Sequence, residues 1–305
     1  MKKVKIIFLV LPNVHLLDLA GPDQVFLEAN DHDANLTIEH CSITDNVVSS
    51  SGVRISNLKQ FHQIQISKGD YVLIPGVDLN YLNSTSIPFE KELAAWLKSG
   101  YEKGAHICSV CSGAFFLARL GLLNNIKCTT HWKRTKELKT KYPKALVQQD
   151  VLFTEDNRIL TSAGVTAGID LALHILSKIK DESTSFKVAR ELVVYMRRKG
   201  NDQQQSVYLQ YRNHIHTGVH QVQDYVQENI SKPISLTHLA DVACTSPRNL
   251  TRIFKKETGV TVNYYITLVR KEVLKNLMAS TTISRKEMAS FCGLKSERHV
   301  IRLLK

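Results

Sequence analysis

No stretch of this 305-residue chain approaches the roughly 20 consecutive apolar residues that a membrane-spanning helix needs. The apolar run near the start covers only Ile6 to Leu11, lacks a following small-x-small cleavage site and ends at Pro12. A first buried strand is therefore expected there, not a secretory signal. Paired metal-ligand spacing is also missing. The six cysteines stand at 41, 108, 111, 128, 244 and 292, and the single C-x-x-C of Cys108 and Cys111 has no second pair to complete a zinc site. Reduced thiols in a cytoplasmic protein are expected, with no metal and no cofactor. With seven prolines and 43% hydrophobic residues, the composition excludes a disordered or fibrous chain. The length suits two domains, each able to bury its own core.

A net charge of either sign is nearly absent from the first part of the chain. Residues 1–180 carry 20 Lys and Arg against 17 Asp and Glu, whereas residues 246–305 carry 13 against 4, which places nine of the net +12 in the last sixty residues. A basic excess confined to one end is the footprint of a polyanionic partner, although a solvated basic surface would carry the same charge.

A repeat separates those readings. Ser246 is followed by apolar Leu250 at +4, Arg252 at +6, Phe254 at +8 and Lys255 at +9. Fifty residues on, Ser296 is followed by Val300, Arg302, Leu304 and Lys305 at the same offsets. The pattern is one helix design used twice: serine caps the N-terminus, +4 and +8 face a core, and the basic positions stay outside. Each copy follows a small-residue helix and a tight turn, Leu239–Ala243 before the first and Met288–Gly293 before the second. That is helix-turn-helix twice, a device that presents a short basic helix to the DNA major groove. Arg248, Asn249 and Arg252 are expected on the exposed face of the first reading helix, with Leu250, Ile253 and Phe254 holding it to the core and Lys255 and Lys256 meeting phosphates. Arg298, His299 and Arg302 are the counterparts in the second.

The first of these segments resembles the AraC/XylS family of bacterial transcription regulators, through Ser246–Arg252, Phe254-Lys255, Glu257-Thr258-Gly259 and Tyr265, continued by Arg270, Glu272 and Leu277. The second departs from the family signature. It keeps Gly293, Ser296, His299, Arg302 and Lys305, but Leu294, Val300 and Leu304 replace its aromatics. The family normally runs on through a turn and a closing helix. Without that cover, the second reading helix is expected to be less well held than the first.

Residues 1 to about 180 alternate buried strand-like runs (Lys5–Leu11, Leu36–Ser42, Tyr71–Pro75, His106–Val110, Ala145–Val147, Leu152–Thr154, Ile159–Ser162) with amphipathic helical stretches. Alternation of this kind predicts an α/β fold, a flavodoxin-like sandwich with a mostly parallel sheet, followed by the all-α module with its two helix-turn-helix motifs. Such sheets carry their sites at the carboxyl ends of the strands. Cys111 sits at one, where the strand His106–Val110 runs into Cys111-Ser112-Gly113-Ala114 and a helix. A nucleophile on that turn would be exposed above the sheet with its thiolate favoured by the helix N-terminus, yet cysteine is as commonly a buried small hydrophobe.

Five spaced segments resemble the PfpI-like superfamily, also called class I glutamine-amidotransferase-like: Val10–Phe26 with Asp18-Leu19-Ala20-Gly21-Pro22, Leu73–Gly76, Cys111–Leu123, Thr129–Trp132 and Ser162–Asp170. Joined to an AraC-type module, the whole looks like the GlxA subgroup of regulators. The resemblance implies that the elbow cysteine, Cys111, faces a carboxylate from the first strand's loop, here Asp18. Protease-like members place histidine directly after that cysteine, whereas this chain has Ser112, and Gly-Pro-x-Glu reads Gly21-Pro22-Asp23-Gln24. His131 is a substitute base or an orienting residue before Trp132. Isocyanide-hydratase-like relatives share the Asp-plus-Cys arrangement and the Thr-x-His-Trp segment.

The expected organisation is a sensor domain at 1–182, a connector at 183–214 and a DNA-binding domain at 215–305. In the connector, Phe186–Arg198 has helical spacing, with Tyr195 among its apolar positions, and 199–205 reads as a flexible linker, or as glutamines capping a connecting helix. The most economical reading is a cytoplasmic regulator of double-stranded DNA. A small-molecule effector would bind near Cys111, Asp18, Gly76, Ser112 and His131 without being consumed, and the first domain would form a homodimer. The rivals are a PfpI-like cysteine hydrolase or hydratase with a DNA-tethering tail, and a regulator in which Cys111 is oxidised. An enzyme needs a base within reach of Cys111.

Overall fold

A computed structural model describes residues 3–83, 87–194, 198–280 and 283–304. The chain forms two compact units, residues 1–204 and 205–305.

The first unit is built on a seven-stranded sheet. Its strands are β1 (Lys5–Leu9), β2 (Thr37–Ser42), β3 (Lys59–Gln60), β4 (Tyr71–Ile74), β5 (His106–Val110), β6 (Phe153–Asp156) and β7 (Ile159–Ser162), in the order β6-β7-β5-β4-β1-β2-β3. All neighbours are parallel except the β6–β7 hairpin. Continuous apolar runs occupy the centre, where Ile7 pairs with Val72 and Leu73 with Cys108, and every one of these side chains is buried. That is the signature of strands covered on both faces.

Helices flank the sheet, among them α1 (Leu16–Asp31), α2 (Glu90–Glu102), α3 (Gly113–Arg119), α4 (Thr166–Ile179) and α5 (Glu182–Glu191). Close approach is enforced by small residues. A Cβ on Gly168 would come within 3.3 Å of Pro22 and 3.0 Å of Val110, so α4 lies tight against α1 and β5.

Two expectations in the connector need correction. Helix α5 begins at Glu182, because Asp181 accepts the Thr184 N–H at 2.7 Å and caps it. It ends at Glu191, followed by Val193 with φ 54°. Residues 195–197, including Tyr195, lie outside the described residues. The stretch 199–205, read as a flexible linker, is mostly a strap bound to the first unit. Gly200 O accepts from Leu152 N at 2.8 Å, and the Gln204 side chain donates to Thr130 O at 3.0 Å and Val151 O at 2.9 Å. Arg198, just before it, holds the buried Asp170 of α4 through Nε at 3.1 Å. Gln204 thus spends its amide on backbone carbonyls and does not cap a helix.

The second unit is helical: α6 (Thr217–Glu228), α7 (Leu236–Val242), α8 (Pro247–Thr258), α9 (Val262–Ser280), α10 (Arg285–Phe291) and α11 (Glu297–Leu304). Helices α7 and α8 form the first helix-turn-helix and α10 and α11 the second. With 19 residues, α9 is about 28 Å long and joins them. Two small cores result. Val219, Val222, Leu239, Leu250, Phe254, Tyr265 and Val269 form the first, and Leu274, Met288, Cys292 and Val300 the second.

Phe254 is fully buried and its ring centroid lies 5.6 Å from that of Tyr265. Replacing it with alanine should cost about 3–5 kcal/mol through lost burial and the cavity left behind. Hydrogen exchange on the intact chain should then show protection lost across α6–α9 and retained in the seven-stranded sheet.

Candidate functional site

Four neighbouring parallel strands, β7, β5, β4 and β1, deliver their carboxyl ends to one place. The chain turns from β5 into α3 at Cys111, whose φ is 56°, a left-handed conformation that costs a cysteine roughly 1–2 kcal/mol. The surroundings over-determine it. Cys111 N donates to Ser162 O of β7 at 2.9 Å, and Thr130 Oγ1 donates to Cys111 O at 2.8 Å. Three glycines let the elbow sit this close. A Cβ on Gly164 would fall 2.2 Å from Cys111 Cβ, one on Gly113 2.3 Å from Ile74 O, and one on Gly76 2.2 Å from an Asp18 carboxylate oxygen.

Asp18 reaches the elbow from the first turn of α1 and is 2% exposed. One carboxylate oxygen accepts the Val165 N–H at 2.6 Å, and the other lies 3.3 Å from His15 Nδ1. His15 is the residue before α1, and its backbone N–H donates to Gly76 O at 2.7 Å. Donor atoms of His15, Asp18 and Cys111 all lie within 4.8 Å of one another. Those atoms could ligate a metal only after the thiol lost its proton.

The environment opposes that loss. Burial first, and the Asp18 charge second, push the Cys111 thiol up to about 12, while the Ser112 N–H at the helix start only partly offsets them. In a site 8% exposed, burial and the Asp18 charge therefore work against the lowering expected from the helix N-terminus. Ser112 does not act as a base. Its hydroxyl donates to Val77 O at 2.6 Å and accepts from Val77 N at 2.9 Å, stapling the ends of β4 and β5. His131 caps a short turn, its Nδ1 accepting from Lys133 N at 3.4 Å, and follows Thr130, which is bonded to Cys111 O. Burial, followed by the nearby Lys133 charge, lowers its pKa.

The second candidate surface is the pair of reading helices. Ser246 accepts the Asn249 N–H at 3.3 Å and Pro247 opens α8. Leu250 and Phe254 are buried, Ile253 is half-buried, and Arg248, Arg252, Lys255 and Lys256 are exposed. Asn249 is half-buried: its Nδ2 donates to Thr245 Oγ1 at 2.8 Å, and its Oδ1 accepts from Arg252 at 3.0 Å. Asn249 therefore positions Arg252 as well as facing outward in part. In α11, Arg298 and Arg302 are exposed, His299 is half-buried and Val300 is fully buried against α9 and α10. The +4 position of this helix, Val300, is covered by α9 and α10, and +8 (Leu304) is half-buried. Lys305 lies outside the described residues.

Comparison with known proteins accounts for both halves. A model of the DJ-1/PfpI family matches residues 4–178. The chain belongs to the DJ-1/PfpI family. Behind that domain, a helix-turn-helix domain model matches residues 239–305. The HTH-type transcriptional regulator GbdR of Pseudomonas aeruginosa is 29% identical over 212 residues, 68% of this chain and 57% of GbdR, so the matched part spans little more than half of that relative. The regulator CdhR of the same species is 24% identical over 97% of this chain and 86% of its own length. The isonitrile hydratase of Pseudomonas putida is 27% identical over 61% of this chain and 76% of its own. In fold, an AraC family transcriptional regulator from Pseudomonas putida superposes with a TM-score of 0.53 at 19% identity, over 62% of this chain and 99% of that one.

Within the DJ-1/PfpI domain, Cys111, Asp18, Gly76 and Ser112 meet, while His131 is not in the close cluster of His15, Asp18 and Cys111 but feels the Asp18 charge. His15 went unrecognised because an isolated histidine before a helix carries no motif, although its i, i+3 spacing to Asp18 on a helix start was a signal. At pH 8, iodoacetamide should label exposed Cys244 well before Cys111, as read by peptide mass spectrometry. Because folding raises the Cys111 pKa, its contribution to stability is complete below the ordinary thiol value of 9 and is lost as pH climbs towards 12. Cys111→Ser should therefore flatten the fall in stability across that window.

Proposed function

We propose that this chain is a sequence-specific transcription regulator acting in the cytoplasm, whose DJ-1/PfpI domain binds a small metabolite without consuming it. The observation that carries the DNA part is the pair of helix-turn-helix motifs on one connecting helix, each presenting exposed arginines. The sensing part is supported by Ser112, whose hydroxyl is committed to Val77 and offers Cys111 no base, and by the burial that pushes the Cys111 thiol up. The strap also favours sensing: Gln204, where the first unit ends, is bonded to Thr130 O, and Thr130 is bonded to Cys111 O. A ligand that moved the elbow would disturb the segment that leads to the second unit. Homodimer formation through the first domain is in keeping with its exposed apolar residues, Leu17 and Leu27 on α1 and Val48 and Val53.

A second reading is favoured by one observation. His15 stands 3.3 Å from Asp18 and within 4.8 Å of the thiol, so a cysteine, a carboxylate and an imidazole are gathered as in an enzyme. The isonitrile hydratase relative belongs to this reading. Hydratase and hydrolase assays on isocyanide, aldehyde and amide substrates, with Cys111→Ala as control, separate the two. The sensor reading expects no turnover above the control, and Cys111-dependent turnover would overturn it.

On DNA, Arg248→Ala and Arg252→Ala should each cost about 1–3 kcal/mol in gel-shift titrations and relax preference at single base pairs. Lys256→Ala should weaken binding evenly across sequences. Unchanged affinity in both arginine variants would remove α8 from the interface.

A further inference from the structure

The second unit holds an open cavity of about 590 Å³ between the turn that follows α6, the middle of α9 and the turn that leads into α11. Two cations line it, Arg270 and Lys295, with the His299 imidazole beside them, and among the described residues no carboxylate does. Its wall is fixed. Gly293, with φ 60°, brings its backbone so close that a Cβ would lie 2.6 Å from Ile230 O.

Arg270 is the informative residue. Its side chain is half-buried on α9, and Nε is enclosed yet has no hydrogen-bond partner among the described residues. Burial lowers its pKa, so the fold keeps a guanidinium where its charge is disfavoured. A buried charged donor without a partner is costly, and arginine in proteins does not escape by losing its proton. Such a group is explained by an anion that the folded chain receives. The guanidinium fork matches the oxygens of a phosphate, Lys295 adds charge beside it, and the His299 ring can donate a hydrogen bond.

We infer that Arg270, Lys295 and His299 form a binding site for one phosphate-type oxyanion in this cavity. Two sources supply that chemistry, a phosphate of the DNA backbone beside α11 or a free phosphate ion or ester. The DNA source rests on the regulator reading above, while the free source does not.

The intact protein is titrated with inorganic phosphate by calorimetry, and separately with a random-sequence duplex over a range of salt concentrations. Wild type, Arg270→Gln, Arg270→Lys and Lys295→Gln are compared. Arg270→Gln should weaken phosphate binding about tenfold or more, with partial recovery in Arg270→Lys and a smaller loss in exposed Lys295→Gln. If DNA supplies the oxyanion, the slope of log K against log salt also becomes shallower by about one in Arg270→Gln. If a free ion supplies it, the slope stays and only phosphate binding falls. Should Arg270→Gln fail to fold, Lys295→Gln decides by the same readouts. Phosphate binding and salt slope both unchanged in the folded variants would overturn the site. Wild type that binds phosphate but no duplex would contradict the regulator reading and leave the site standing.

Discussion

The left-handed turn at Cys111 is the constraint on which the first unit's chemistry depends. A cysteine at φ 56° is held there by hydrogen bonds from two directions and by three glycines that leave no room for a Cβ. That tightness brings the ends of β7, β5, β4 and β1 together around Asp18 and the thiol. It also excludes water, and the exclusion raises the thiol pKa. The same geometry that would expose a nucleophile in a roomier site here conceals one. Strain at a functional elbow is usually retained for a reason, and reporting a bound molecule is one that needs no thiolate.

The second unit depends on a different economy. Each reading helix is short and could not persist alone in water, so its apolar positions must be buried by neighbours. Leu250 and Phe254 do this for α8, and Val300 does it for α11, against α9 in both cases. Since α9 serves both cores, the two helix-turn-helix motifs share one rigid spacer and their separation is set by its length. The shared helix also carries Arg270, placing a charged group at the point where the second motif meets the body of the unit.

Much of this was legible in the residues. Continuous apolar runs marked the central strands, because a strand covered on both faces has no polar side to display. Serine followed by apolar residues at +4 and +8 marked both reading helices, because capping and burial are local demands, and the Ser246 side chain caps α8. What escaped depends on tertiary packing. The hairpin of Val47–Val48 with Arg54–Ile55 is too short to show a period. The strap at 199–204 is polar and reads as a linker, yet Gly200 O accepts from Leu152 N and the Gln204 side-chain amide donates to the carbonyls of Thr130 and Val151. The connector expected at 183–214 straddles the boundary, since the first compact unit runs to Gln204. The thiol's reluctance to ionise could not be read from a motif, since it comes from burial that only the folded chain creates.

The central claim is that two reading helices on one spacer recognise DNA by sequence. Selection of duplexes from a random pool by the intact protein tests it most directly. The α9 spacer, about 28 Å long, approaches one helical turn of DNA, about 34 Å. The enriched sequences should therefore hold two short conserved blocks whose centres lie about one turn apart, with the first block lost when Arg248 and Arg252 are replaced by alanine. A pool that emerges with no conserved block, while the protein stays folded, would contradict the claim.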